Sequence, residues 1–223
     1  MKELSKIKHW IFDLDNTLYA ATTNVFDKID KKMCEFIMEN LKVSRKDALK
    51  IKNNYFHQHG TTLNGLMKKH DIDAHHFLEF VHDIDYSFLK KDPSLNEEIK
   101  KLPGDKIIFT NGSKKHAERV IEKLGIEGNF DKIFDIADCD FIPKPEIEPY
   151  NKLIDTFNIN VEQSIFFEDI AKNLEPAHRL GMKTAWVRND DPYCKEGFDG
   201  NHVHYTIENL TEFLKQTNKI LEQ

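Results

Sequence analysis

Cysteine is scarce in this chain: Cys34, Cys139 and Cys194 are the only three among 223 residues, an odd number at wide spacing. That excludes a disulfide framework or a Cys-x-x-Cys zinc knuckle and fits a reducing cytoplasm. A surplus of positive charge is also missing. Lysine and arginine total 32 against 38 aspartates and glutamates, for a net charge of −6, so there is no basic footprint for nucleic acid. No apolar run approaches the roughly 20 residues of a membrane helix. The opening "MKELSKIKHW" lacks the apolar stretch of a signal peptide. Neither nucleic acid nor membrane is an expected partner. The eleven histidines include "HQH", "HH" and "HVH", but no HExxH accompanies them, so they do not compose a zinc site. What remains is a chain 39% hydrophobic and 31% charged, enough for one substantial core plus a smaller insertion.

Short apolar runs recur at wide intervals: "WIF" (10–12), "KIIF" (106–109), "KIFDI" (132–136), "SIFF" (164–167) and "KTAWV" (183–187). Helical patterns separate them. "SKKHAERVIEKLG" sets Ala117, Val120, Ile121 and Leu124 on one stripe and stops at Gly125. "EIEPYNKLIDTF" and "NLEPAHRLG" precede the fourth and fifth runs, and the tail "TIENLTEFLKQTNKILEQ" reads as a closing helix. The alternation predicts an α/β fold, a Rossmann-like parallel sheet with helices on both faces. Residues 20–95 break the rhythm with four helical patterns and no strand, beginning with Val25, Ile29, Met33, Phe36, Ile37 and Leu41 on one stripe. "SRKD" (44–47) opens a second helix as a capping box does. The division expected is a core of 1–19 and 96–223 with an all-helical cap of 20–95.

The run 9–19, "HWIFDLDNTLY", poses the functional question. Asp13 and Asp15 follow an apolar segment at i and i+2, which in extended backbone puts both on one face and turns Leu14 to the core. Like charges that close repel unless a cation sits between them. The other strand ends are equally polar: "TNGS" (110–113) after the second run, Glu168 and Asp169 after the fourth, and Lys144 between prolines in "IPKPE". Parallel sheets bind ligands beyond the carboxyl ends of their strands. Carboxylates converging there suit a hard divalent cation, most simply Mg²⁺. Thr110 and the amides that start the Ser113 helix suit an anion, and Lys144 adds positive charge on a restricted backbone. A metal, a lysine and helix-end amides around a carboxylate nucleophile describe phosphoryl transfer through an aspartyl-phosphate.

The order Asp-x-Asp-x-Thr, Thr, Lys, Glu-Asp resembles the haloacid dehalogenase (HAD) superfamily of aspartate-dependent phosphohydrolases over nearly the whole chain, and the helical insertion resembles that superfamily's cap. More narrowly, "FDLDNTLY", "GTTLNGLM", "VHDIDYS", "PKP" and "FEDIAKN" are similar to the pyrimidine 5′-nucleotidase branch. The resemblance implies Asp13 as nucleophile and Asp15 as general acid, then base. It implies Mg²⁺ on the Asp13 carboxylate, the Asp15 main-chain carbonyl and Asp169, with Glu168 reaching the ion through water and Asn173 supporting the site from behind. Thr110 and Asn111 would hold phosphoryl oxygens and Lys144 would neutralise charge. The substrate implied is a small phosphomonoester, with its leaving group read by the cap. His57, His59, Thr61, Thr62, Asn64, His82, Asp85 and Tyr86 supply polar groups there, and His82 and Asp85 are the expected base-contacting pair.

Three rivals follow from the same residues. A dehalogenase attacks carbon and leaves Asp15 and Asp169 without a task. A phospho-receiver domain has neither an inserted helical domain nor an acidic pair after its lysine. A HAD phosphatase for a sugar phosphate or phosphoglycolate is opposed only by the cap stretches.

Overall fold

Successive residues of the first apolar run part ways. Trp10, Phe12 and Leu14 join one buried cluster and Ile11 another, because side chains alternate across a strand. The computed structural model describes residues 2–130 and 132–222. Its strands are β1 (His9–Phe12), β2 (Asp105–Phe109), β3 (Lys132–Phe134), β4 (Ser164–Glu168), β5 (Lys183–Val187) and β6 (Tyr205–Ile207). They form one sheet in the order β3-β2-β1-β4-β5-β6, every pair parallel. The strand that ends at Asp13 therefore lies inside the sheet, between β2 and β4.

The helices are α1 (Val25–Leu41), α2 (Arg45–His59), α3 (Thr62–His70), α4 (Ala74–Val81), α5 (Pro93–Lys101), α6 (Lys114–Leu124), α7 (Ile147–Phe157), α8 (Leu174–Arg179) and α9 (Leu210–Leu221). Leucines and isoleucines of α5, α6 and α9 cover one sheet face, and Tyr150 and Leu153 of α7 with Leu174 and Ala177 of α8 cover the other. This is the doubly covered parallel sheet that the alternating pattern predicted.

All four helices expected between residues 20 and 95 form. Ser44 caps α2 by accepting from the Asp47 amide at 3.2 Å, and Thr61 caps α3 by accepting from the Asn64 amide at 3.1 Å. Phe36 of α1 meets Phe77 and Phe80 edge-on at 5.0 and 5.4 Å. At Gly65 a Cβ would stand 2.4 Å from Tyr55, so glycine is what lets α2 and α3 approach. The buried residues of these helices continue without a break into the α5–α6–α9 side of the sheet.

Two segments differ from the sequence reading. The third run is strand only to Phe134. Asp135 turns the chain, its carboxylate accepting from the amides of Lys114, Ala137 and Asp138 at 2.6, 3.0 and 3.0 Å. The tail is not helical from Thr206: Tyr205–Ile207 pair with Ala185–Val187 as edge strand β6, and α9 starts only after Asn209 caps it. β-branched and aromatic residues beside an open strand edge outweigh a helical continuation.

Candidate active site

Asp13 emerges one residue beyond the last β1 pairs, its amide bonded to the Phe167 carbonyl at 2.9 Å. Lys144 meets it from the Pro143–Pro145 loop. The lysine Nζ donates to Asp13 Oδ1 at 2.8 Å, Glu168 Oε2 at 2.6 Å and the Phe109 carbonyl at 3.0 Å, so all three ammonium hydrogens are used. It also stands 5.0 and 5.3 Å from the Phe109 and Phe166 ring centroids. Asn111 fixes this loop from both sides, accepting from the Lys144 amide at 2.9 Å and donating to its carbonyl at 3.4 Å. Its side chain is engaged with the lysine's backbone rather than standing open. Thr110 is buried and its hydroxyl accepts from the Gly112 amide at 2.9 Å.

The two opening aspartates do not share a partner. β1 stops at Phe12, Asn16 takes a left-handed φ of 62°, and the Leu18 amide closes a turn on the Leu14 carbonyl at 3.0 Å. Extended backbone thus ends too soon to hold both carboxylates on one cation. Asp15 turns instead to His116, whose Nε2 lies 2.8 Å from Oδ1, and to the Tyr19 hydroxyl, which donates to the same oxygen.

Asp169 is held by Asn189, which donates to Oδ2 at 2.7 Å, and by Trp186, which donates to the main-chain carbonyl at 2.6 Å. Asn173 lies one turn on, where its carbonyl accepts from Tyr150 at 2.5 Å. Sequence reasoning missed Tyr19, His116 and Asn189. The one signal present was that His116 lies one turn before Val120 on the stripe already read as buried.

Burial pushes the Asp13 carboxyl up to about 7, helped by the Glu168 charge and opposed by Lys144. Burial and the charges of Glu168 and Asp13 raise Asp169 well above the carboxylate range. Asp15 runs the other way: burial raises it, but the His116 and Tyr19 bonds outweigh that and hold it below its ordinary value. Burial disfavours charge on Lys144 too, yet Asp13 and Glu168 hold its pKa above that of an ordinary lysine.

Asp13, Glu168 and Asp169 each offer a carboxylate oxygen within 4.8 Å of the others, all buried. One ammonium does not neutralise three carboxylates, and all-oxygen donors suit Mg²⁺. The residues present fit that ion; Asp13, Asp169 and Glu168 would hold it.

A pH effect on stability follows. Between about pH 4 and 7 the native state keeps a proton on Asp13 that the unfolded chain, with carboxyls near about 4, has released. Stability from Asp13 is present below about pH 4 and falls as pH rises through about 7; burial shifts Asp169 in the same direction. Mg²⁺ held there would compete with that proton. It is expected to stabilise the fold by up to about 2–3 kcal/mol at a hundredfold excess over Kd, and to raise the melting temperature more at pH 7.5 than at pH 5.5. Differential scanning fluorimetry with and without chelator checks this, and no Mg²⁺ effect at either pH would overturn the assignment.

The cap residues named from sequence have varied surroundings. Asp85 is exposed and accepts from the Ser87 amide and hydroxyl at 2.8 and 2.7 Å. His82 is buried, with Nδ1 2.9 Å from the Ser113 hydroxyl. Thr62 donates to the Lys52 carbonyl at 3.2 Å and Asn64 to the His59 carbonyl at 2.8 Å. His57 packs 5.4 Å from Tyr193. The turn at Gly60 meets the loop that carries Lys144: a Cβ there would lie 3.5 Å from the Lys144 carbonyl. His59 Nε2 beside that turn is buried without a hydrogen-bond partner among the described residues.

A doubly covered parallel sheet with a helical insertion after its first strand, and an aspartate–lysine–acidic pair at its carboxyl edge, defines a class. The chain belongs to the haloacid dehalogenase-like hydrolases, whose family model matches residues 10–187. It is 29% identical over 197 residues to Phosphate metabolism protein 8 of Saccharomyces cerevisiae, a match covering 78% of this chain and 60% of the yeast protein. It is 26% identical over 224 residues to a glyceraldehyde 3-phosphate phosphatase of Methanocaldococcus jannaschii, covering 93% of this chain and 96% of that protein. Among solved structures, a HAD phosphatase from Thermococcus onnurineus superposes with a TM-score of 0.63 at 17% identity, covering 94% of this chain and 97% of that one. Among the described residues no helix is long and apolar enough to cross a membrane.

Proposed function

We propose that the chain is a Mg²⁺-dependent phosphatase that hydrolyses nucleoside 5′-monophosphates, pyrimidines preferred, through an aspartyl-phosphate on Asp13. The observation that carries the phosphatase reading is the separation of two carboxylates into different environments. Asp13 sits among Lys144, Glu168 and Asp169, as a nucleophile with a cation-binding neighbourhood does. Asp15 is held apart by His116 and Tyr19. Attack on carbon with halide departure needs no second acid, whereas a departing sugar oxygen does.

In this scheme Asp13 attacks phosphorus in line and the leaving oxygen takes a proton from Asp15. The Asp15 carboxylate then takes a proton from the water that releases phosphate. The resting Asp15, held low, is in the form a base requires; the negative charge of a bound phosphoryl group raises it so that it serves first as acid. Lys144 holds Asp13 in place and balances charge, and Thr110 and Asn111 close the phosphoryl side. Asp13, Asp169 and the Asp15 carbonyl would hold Mg²⁺, with Glu168 reaching it through water, and the ion would supply electrostatic stabilisation of phosphoryl oxygens.

The core is taken as 1–19 and 96–223 and the cap as 20–95, with leaving-group recognition falling to the cap. The nucleotide part rests on the cap stretches "GTTLNGLM" and "VHDIDYS" and on unpartnered His59 Nε2 beside the Lys144 loop. His82 and Asp85 remain the proposed base contacts from the second stretch. A second reading, a three-carbon phosphomonoester, is favoured by the archaeal relative named for that substrate.

A phosphate-release panel with Mg²⁺ decides between them. Uridine and cytidine monophosphates are expected to exceed adenosine and guanosine monophosphates in kcat/KM by at least about tenfold. Faster turnover of glyceraldehyde 3-phosphate or phosphoglycolate would remove the nucleotide part alone. Release from no monoester at all would remove the phosphatase.

A further inference from the structure

Asp15 is gripped more elaborately than a lone acid–base residue requires. Both of its protein partners, His116 Nε2 at 2.8 Å and the Tyr19 hydroxyl, use Oδ1, and Oδ2 has no partner among the described residues. A carboxylate only accepts, so Nε2 donates. His116 is fully buried, and its other nitrogen lies 2.8 Å from the Tyr86 hydroxyl. Its ring stacks on His82 with centroids 4.4 Å apart and planes 6° from parallel. His82 is in turn tied to Ser113 at 2.9 Å, and its carbonyl accepts from Arg119 at 3.2 Å. Among the described residues, His116 makes no hydrogen bond, ion pair or ring contact with Asp13, Glu168 or Asp169.

We propose that His116 is a positioning residue for Asp15: it locks the Oδ1 side of the carboxylate and so leaves Oδ2 as the oxygen that exchanges a proton with the leaving group and with water. Tyr86 and His82 come from the end of α4 and the segment after it, where the chain leaves the helical insertion. The acid–base group is therefore braced by the cap's exit and not by the core alone. A carboxylate free to rotate spends less time in the geometry that proton transfer needs, and displacements of an ångström are costly in rate. This inference rests on the phosphatase reading of the same site.

The test compares 4-nitrophenyl phosphate with phenyl phosphate, esters of similar shape whose leaving phenolates differ in basicity. The first departs with little help from an acid; the second needs it. His116→Phe keeps a ring against His82 and removes the Nε2 donor. It is expected to lower kcat/KM for phenyl phosphate by about 100-fold and for 4-nitrophenyl phosphate by less than about tenfold, within the usual range for acid catalysis. His116→Gln, which restores a donor near the Nε2 position, is expected to recover most of the loss. Equal losses on both esters, or no loss, would overturn the inference. Should His116→Phe fail to fold, Tyr86→Phe removes the brace with His116 in place and must show the same selective loss at smaller size; its absence overturns the inference too. A wild type inactive on both esters refutes the phosphatase itself, and the positioning role falls with it. An active wild type with unselective variants refutes the positioning role alone.

Discussion

Asp13→Asn is expected to abolish turnover, by about 10⁴-fold or more, in a protein at least as stable as the wild type. The activity loss follows from its position. An amide is a poor nucleophile, and removing a nucleophile costs enzymes on this order. The stability follows from what surrounds it. Asp13 is one of three buried carboxylates facing one ammonium, and its raised pKa of about 7 records the cost of ionising it there. Asparagine removes that charge and keeps an oxygen for the Lys144 bond, while the lysine retains Glu168 at 2.6 Å. Active sites commonly trade stability for function in this way. Steady-state phosphate release with a melting curve on the same preparation checks both halves. Residual turnover near the wild-type rate would remove Asp13 as nucleophile.

Lys144→Met is expected to have the opposite stability signature. It deletes the ammonium that bridges Asp13, Glu168 and the Phe109 carbonyl and leaves buried acids facing each other. Breaking a buried pair from one side costs about 3–5 kcal/mol. The loss has a direction in pH. Without the lysine the Asp13 and Asp169 carboxyls rise further, so the site is cheap at low pH and repulsive at high pH. The variant's deficit in melting temperature is therefore larger at pH 8 than at pH 5, and Mg²⁺ recovers part of it. Activity falls by about 10³-fold or more, as when a key electrostatic contact is lost. A deficit independent of pH would show that the lysine contributes packing rather than charge.

The parts legible in the sequence are those whose chemistry is written locally. An apolar run ending in a carboxylate announces both a strand and its polar end, so Asp13, Thr110, Glu168 and Asp169 were visible at once. The lysine between two prolines was visible for a similar reason. Helix α1 matches its pattern through its apolar stripe alone, and α3 because apolar stripe and the Thr61 cap coincide there. Helix α5 had only Leu95 and Ile99 on a stripe otherwise made of charge, although Asp92 as cap and Pro93 at the first position marked its start. Strand β6 is three residues long, too short for a period to show. His116 acquires its role from a residue 101 positions away, and Asn189 from one 20 positions away. Such partners are set by tertiary packing, and no local pattern encodes them.

The strand register has a genetic consequence. His9–Phe12 run level with Asp105–Ile108 on one side and Ser164–Phe167 on the other, which brings Asp13 and Glu168 level at the next step. Side chains alternate faces, so a slip by one residue exchanges the whole set. Deleting one codon within β1 would seat Leu14 in the place of Asp13 and drive Asp13 into the place of Phe12, in the aromatic layer, while inserting one codon within β1 or β4 would seat Phe12 or Phe167 opposite Lys144. The strands are thus a reading frame for the chemistry, intolerant of any insertion or deletion. The stretch between residues 20 and 95 carries no strand register, and length changes in its turns leave that frame in phase.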